Sequence, residues 1–177
     1  MSQNSENWIN ALNAARNTMN RGYLKKEPSS EWKRKILLAE HSPIRLVKLS
    51  YKWVLKSWIS VHFTRHKIGI EHFVSTQRDD RTDIDRNKSP QDTHVLHFFE
   101  ANAQAIINIS RKRLCNQAHL ETRIKWIEFL ETVAIEEPEL YSVCVPECVY
   151  RGFCPEIKKC GYSETPLFVN RLKLYRG

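Results

Sequence analysis

The stretch DTHVLHFFEANAQAIINISRKRL, residues 92–114, decides how the chain is read. At 100° per residue with Asn102 at zero, Val95, Phe98, Phe99, Ile106 and Ile109 all fall within about 60° of one direction. The spacing predicts one long helix over 92–114, entered from Ser89-Pro90-Gln91. Arg113 falls at about 20° on the same wheel, so Asn102 and Arg113 stand in the middle of an apolar stripe. A guanidinium there is costly unless it meets an anion or polar ligand, pairs with a carboxylate, or snorkels from the helix end. Gln104 and Asn108 lie one turn apart on another face.

Working outward toward the C-terminus, a second long helix is expected over 118–135, with Leu120, Ile124, Ile127, Phe129 and Leu130 as its core side and Pro138 as its stop. Residues 138–150 read as a short helix broken at Pro146, and 155–162 as irregular. Residues 165–175 read as a final helix or an arm on a neighbouring subunit. Toward the N-terminus, 78–91 is a charged loop and 70–77 a strand. A helix capped by Ser57 carries Trp58, Val61, His62 and Arg65 at helical spacing, which places His62 and Arg65 on the side that Trp58 and Val61 bury. Residues 44–54 read as a strand through Ile44, Leu46, Lys48 and Tyr51. A short helix from Pro28-Ser29-Ser30 holds Trp32, Ile36 and Leu37. The first helix, about 6–19, is capped by Ser5 and carries Trp8, Leu12 and Ala15 on one face. There is no internal repeat.

The length of 177 residues suits a single domain, 1–177, with a real core. Apolar residues at 41% exclude a disordered chain, and 5 Gly with 7 Pro exclude a collagen-like or linker protein. No run is apolar enough to span a membrane, and the first six residues show no secretion signal, so a cytoplasmic protein is expected. Lys and Arg number 28 against 20 Asp and Glu, a surplus of +8. That surplus favours an anionic partner, nucleic acid or a phosphorylated small molecule, and equally fits a surface kept basic for solubility. Cys144, Cys148, Cys154 and Cys160 fall within 17 residues. Their spacing is not the paired C-x2-C of a zinc ribbon, so zinc at Cys148, Cys154 and Cys160 and plain thiols both remain open.

Arg65-His66-Lys67 ends a predicted helix, seven residues intervene before Ser75, and Gln77-Arg78 follows. Arg gives two-pronged contacts to phosphate or carbonyl oxygens and Ser adds a neutral donor. A solvated turn has the same composition. This pattern resembles the R-H-R-x7-S signature of the flavin-dependent thymidylate synthases. Three further segments strengthen the resemblance, which covers about 40–150. His41-Ser42-Pro43 stands where that family has a His-Glu-Thr-Pro-like segment. Asn102-Ala103-Gln104, Asn108 and Arg113 resemble its N-A-R-x3-N-x4-R helix, and His62 stands where it usually has Gln.

The resemblance implies an α/β fold with an antiparallel sheet among long helices, and a homotetramer with sites shared between subunits. It implies reductive methylation of deoxyuridine monophosphate, with FAD as cofactor and methylene-tetrahydrofolate and NADPH as co-substrates. Arg113 would stabilise charge on the uracil. His62, Arg65, Ser75, Arg78 and Arg86 would hold the nucleotide. Ser42, Arg65, His66, Lys67, Asn102, Gln104 and Asn108 would hold the flavin. Lys67 and Gln104 replace Arg, Phe73 replaces Glu, Gln77 replaces Arg, and Gln117 stands where a His is often found. The stretch 79–101 is shorter than in many members, as in the compact, divergent branch seen in phage genomes. A related modification such as hydroxymethylation stays open on Phe73 and Gln77. The alternative of another class is a basic nucleic-acid-binding protein with a metal-stiffened C-terminus.

Overall fold

The helix expected over 92–114 is two elements. In the computed structural model, which describes residues 3–82, 85 and 87–177, His94–Asn102 is a strand, β3, and Ala103–Arg113 is a helix, α4. Val95, His97, Phe99 and Ala101 are buried in strict alternation with their neighbours. That period of two, carried by β-branched and aromatic residues, defeats the helical wheel drawn across it. Asn102 ends the strand and caps the helix, its side-chain oxygen accepting from the Ala105 N–H at 2.9 Å. Arg86 lies outside the described residues.

The chain divides into two compact units, Leu49–Ala101 and a second made of Met1–Lys48 with Asn102–Gly177. The first holds a three-stranded antiparallel sheet in the order β1-β3-β2, where β1 is Lys48–Lys56 and β2 is Ile70–Val74. β2 pairs antiparallel with β3, Ile70 opposite Ala101 and Phe73 opposite Phe98. A helix, α3 (Ser57–Thr64), follows β1. Its buried side is Ile59, Ser60 and Phe63, and Val61 is exposed. The expected Trp58/Val61 face is therefore corrected: Phe63 stacks on Trp53 at 4.8 Å between ring centroids, and an eight-residue helix has room for one buried stripe.

The other unit is helical. It contains α1 (Gln3–Asn17), α2 (Ser30–Leu38), α4, α5 (Leu120–Glu136), α6 (Pro138–Val143), α7 (Glu147–Arg151) and α8 (Pro166–Arg176). Ser5 lies inside α1 rather than at its cap. Ser29 caps α2, accepting from the Trp32 N–H. The strand expected over 44–54 begins only at Lys48, because Pro43 opens a 3-10 helix over Ser42–Leu46. The Val47 carbonyl accepts from the Ala103 N–H at 2.8 Å, so the two points where the chain leaves and re-enters this unit are bonded together.

In α5 the buried side is Thr122, Trp126, Phe129, Leu130 and Val133, whereas Leu120, Ile124 and Ile127 are exposed. Trp126 donates its indole N–H to Ser110 of α4 at 3.0 Å, which selects that side. Trp8 of α1 donates to the Glu137 carboxylate at 2.7 Å, and burial pushes that carboxyl up. The tail is a helix of this unit: Thr165 caps α8, and Arg34 donates to the carbonyls of Leu174 and Tyr175 at its C-terminal end. Among the described residues, no helix is long and apolar enough to cross a membrane.

Candidate functional site

The basic turn lies in the sheet unit. The His66 N–H closes the end of α3 on the Phe63 carbonyl at 2.9 Å, and Gly69, at φ 74°, lets the chain reverse into β2. Arg65 and Lys67 are exposed on either side of His66, and neither makes an ion pair or side-chain hydrogen bond within the described residues. Ser75 is clamped to β3: its N–H donates to the Leu96 carbonyl at 2.8 Å and its hydroxyl oxygen accepts from the Leu96 N–H at 3.0 Å. Its hydroxyl proton is left to donate elsewhere. Gln77 has a buried side-chain amide nitrogen with no acceptor. Arg78 is occupied by Asp80, which takes two of its N–H groups at 2.8 and 2.6 Å. His62 is half-buried with Trp58 edge-on to it, and Phe73 is exposed against Phe98.

Beneath the turn runs a hydrogen-bond chain that sequence reasoning missed. Ser60 Oγ lies 2.9 Å from His97 Nδ1, His97 Nε2 lies 2.8 Å from His72 Nδ1, and His72 Nε2 lies 3.0 Å from the His66 carbonyl oxygen. His97 is wholly buried, with Trp53 and Phe63 edge-on to its ring. Burial first, and the neighbouring His72 second, pull its pKa down to about 4. Burial also lowers His72, against the pull of the His66 carbonyl and Glu71. The signal was present: His97 occupies the buried phase of the Val95/Phe99 alternation.

Gln104 and Asn108, on α4 of the helical unit, are already engaged. Gln104 donates to the Glu40 carboxylate at 2.6 Å and to Asn108 at 3.4 Å. Arg111 donates to Glu40 and, at 3.3 Å, to Asn108. The guanidinium of Arg111 also covers the Tyr150 ring at 3.5 Å. Glu40 is held with φ 50°, a left-handed conformation unusual for Glu. Arg113 is the last residue of α4 and half-buried, with partners of its own. It continues the Ile106/Ile109/Ser110 side, not a stripe shared with Val95 or Phe99. Ser42 lines a cavity of ≈ 610 Å³ with Trp32, His41 and Pro43.

These observations bear on whether the chain fits a flavin dinucleotide. Arg65, Lys67, the Ser75 hydroxyl and the orphaned Gln77 amide are all donors, which suits phosphate oxygens. In the helical unit, taken by itself, Ser42 lines a mainly apolar cavity of a size usual for small-molecule sites. Gln104 and Asn108 fit less well than the resemblance implies, since their amides serve Glu40 and Arg111.

Cys115, Cys148, Cys154 and Cys160 line one cavity of ≈ 360 Å³ with Arg123 and Arg171. Among the described residues, no group of three or more His, Cys, Asp or Glu could hold a metal ion. The expected zinc set of Cys148, Cys154 and Cys160 is thus not assembled. Cys148 stands on α7 and Cys154 and Cys160 follow it at steps of six residues, without the C-x2-C pairing that brings two ligands of one short turn onto a metal. Burial pushes the Cys115 and Cys148 thiols up, and Cys144, in the core, up to about 12.

No family model matches the chain, and no curated protein matches it in sequence. Among solved structures it is similar to PolB of Streptomyces cacaoi, a UMP/dUMP methylase whose crystal structure is bound with 5-Br dUMP. The TM-score is 0.61 at 10% identity, over 84% of this chain and 91% of that one. The likeness is one of fold.

Proposed function

We propose that the chain is a flavin-dependent enzyme that modifies a uracil nucleotide, of the thymidylate synthase type, converting deoxyuridine monophosphate to thymidylate. The observation that carries this reading is the set of available donors at the two ends of β2: Arg65 and Lys67 exposed before it, and after it the Ser75 hydroxyl proton uncommitted and the Gln77 amide buried without an acceptor. Such a set suits an anionic nucleotide. The likeness to a UMP/dUMP methylase agrees with a uracil ring on that nucleotide.

Within this reading Arg65 and Ser75 bind the phosphate, and Arg78 joins them by leaving Asp80. Gln77 donates to a nucleotide oxygen. Arg113 holds the uracil and stabilises negative charge on its oxygen, a role in which one donor is worth about 100-fold to 1,000-fold in rate. His66, Lys67, Ser42 and Asn102 hold the flavin. Reduced FAD supplies the hydride when bound, methylene-tetrahydrofolate the carbon, and NADPH the reducing equivalents. Subunits in a homotetramer share these residues.

The test is to purify the protein, measure flavin absorbance near roughly 450 nm, and supply the nucleotide, folate and NADPH. Thymidylate is the expected product, and Arg113→Ala is expected to fold normally while losing turnover on the scale just given. A hydroxymethylated product would move the assignment to that modification. Colourless protein that takes up no FAD and binds DNA with steep salt dependence would replace it by the nucleic-acid reading.

A further inference from the structure

The direction of every bond in the Ser60–His97–His72–His66 chain is fixed by its last member. A carbonyl oxygen only accepts, so His72 Nε2 carries a proton. His72 is neutral, because burial lowers its pKa, so its Nδ1 is bare and accepts from His97 Nε2–H. His97 is neutral too, so its Nδ1 is bare and accepts from the Ser60 hydroxyl. Both imidazoles are therefore Nε2–H tautomers, and α3, β3, β2 and the turn are joined by one chain of donors pointing the same way. Two desolvated imidazoles among Trp53, Phe63 and Phe99 are a costly way to fill a core that Leu or Phe would fill as well. A satisfied polar chain, unlike an apolar core, admits one arrangement. What it arranges is His66, pinned by its N–H to Phe63 and by its carbonyl to His72, with Arg65 and Lys67 on either side.

We propose that Ser60, His97 and His72 are positioning residues for the basic turn, holding the His66 carbonyl so that Arg65 stands ready for the phosphate of the nucleotide. None of the three touches the ligand. This rests on the uracil-nucleotide reading above for the identity of the ligand, but not for the chain itself.

The experiment separates a ring that fills space from a ring that donates. His72→Phe keeps the volume and loses both hydrogen bonds, whereas His72→Gln keeps an acceptor and a donor. Affinities for deoxyuridine monophosphate and for deoxyuridine are measured by calorimetry on both variants, and imidazole tautomers by 15N NMR on the native protein. His72→Phe is expected to weaken the nucleotide about tenfold, the scale of one lost hydrogen bond. It is expected to leave the nucleoside unchanged, and His72→Gln to restore most of the loss. Native His72 and His97 are expected as neutral Nε2–H tautomers at pH 7.

The proposal is overturned if His72→Phe binds the nucleotide as the native protein does, if nucleotide and nucleoside weaken alike, or if either ring is the Nδ1–H tautomer. Should the native protein bind neither ligand, the nucleotide reading falls on its own. The turn is then judged by affinity for inorganic pyrophosphate and by exchange of the His66 amide, both expected to change about tenfold in His72→Phe; no change in either overturns the proposal. If His72→Phe does not fold, the native tautomers decide.

Discussion

Acid should unfasten the sheet unit through its buried histidines, and the size of the effect follows from the environment of His97. An unfolded histidine takes its proton near 6.5, while His97 in the folded chain resists until about 4. The folded value lies below the unfolded one, so the unfolded chain binds the proton first on acidification. The stability that depends on a neutral His97 is complete above about pH 6.5 and is lost as the pH falls through about 4. At about 1.4 kcal/mol per unit, the interval amounts to about 3 kcal/mol, a large share of the 5–15 kcal/mol typical of a domain. His72 acts in the same direction, tempered by Glu71 and by the His66 carbonyl. Ser60 from α3 and Trp53 from β1 bring no charge to the site.

The assay is urea unfolding at steps from pH 7.5 to 4, on the native chain and on a Ser60→Ala/His97→Leu/His72→Phe variant in which the whole chain is replaced by apolar groups. Replacing the three side chains together orphans none of them and leaves only the His66 carbonyl without its donor, a loss that does not vary with pH. Titrating carboxylates elsewhere, such as Glu147, where Arg151 and Lys112 outweigh burial and lower the pKa, act alike in both proteins and cancel in the difference. The native chain should lose about 3 kcal/mol more than the variant across the interval. Parallel pH profiles would refute the reasoning.

Two other perturbations address the helical unit. In a double-mutant cycle on Glu40→Gln and Arg111→Met, the coupling energy from urea unfolding should be about 1–3 kcal/mol, because both side chains are largely buried and Gln104 and Asn108 share the network; a value below about 0.5 kcal/mol would deny the network its weight. For the cysteines, zinc in the purified protein should be under about a tenth of an equivalent and chelation should leave Tm unchanged. An alkylating reagent at neutral pH should label exposed Cys160 before Cys115 and Cys148, and Cys144 last. A full equivalent of zinc would show the four cavity thiols drawn together on a metal.

Much of the fold is legible in the sequence where one physical signal acts alone. Ser29 before Ser30–Leu38, Pro138 and Pro146 as breaks, and Thr165 before Pro166 each declare a helix end by their own chemistry. The misreadings occur where two signals overlap. In 92–114 the strand phase Val95, Phe99 and the helix phase Ile106, Ile109 happen to fall on one wheel, and Asn102, a cap by type, looks like an interior residue. In α5 apolar residues stand on two sides, Leu120/Ile124/Ile127 and Trp126/Phe129/Leu130/Val133, and periodicity has no means to choose between them. The indole bond from Trp126 to Ser110 chooses, and that is a tertiary fact.

The candidate site divides along the same line. The turn Arg65-His66-Lys67 is local, so spacing alone finds it, and spacing also picks out Ser75, but the clamp that holds Ser75 reaches Leu96 on β3 and is a tertiary fact. The occupation of Gln104 and Asn108 depends on Glu40, 64 residues from Gln104, and no helix pattern contains that partner. Arg113 is the instructive case. The wheel valued it for greasy neighbours, yet three of those neighbours, Val95, Phe98 and Phe99, belong to a strand. What remains is a guanidinium in the last turn of α4, where the helix dipole favours a cation whatever the function. Burial therefore gives Arg113 no special standing, and the case for it rests on the spacing from Asn102 and Asn108 alone. Turnover in Arg113→Ala tests that spacing directly, whereas a structural measurement on the same variant would respond equally to the loss of a helix-end cation.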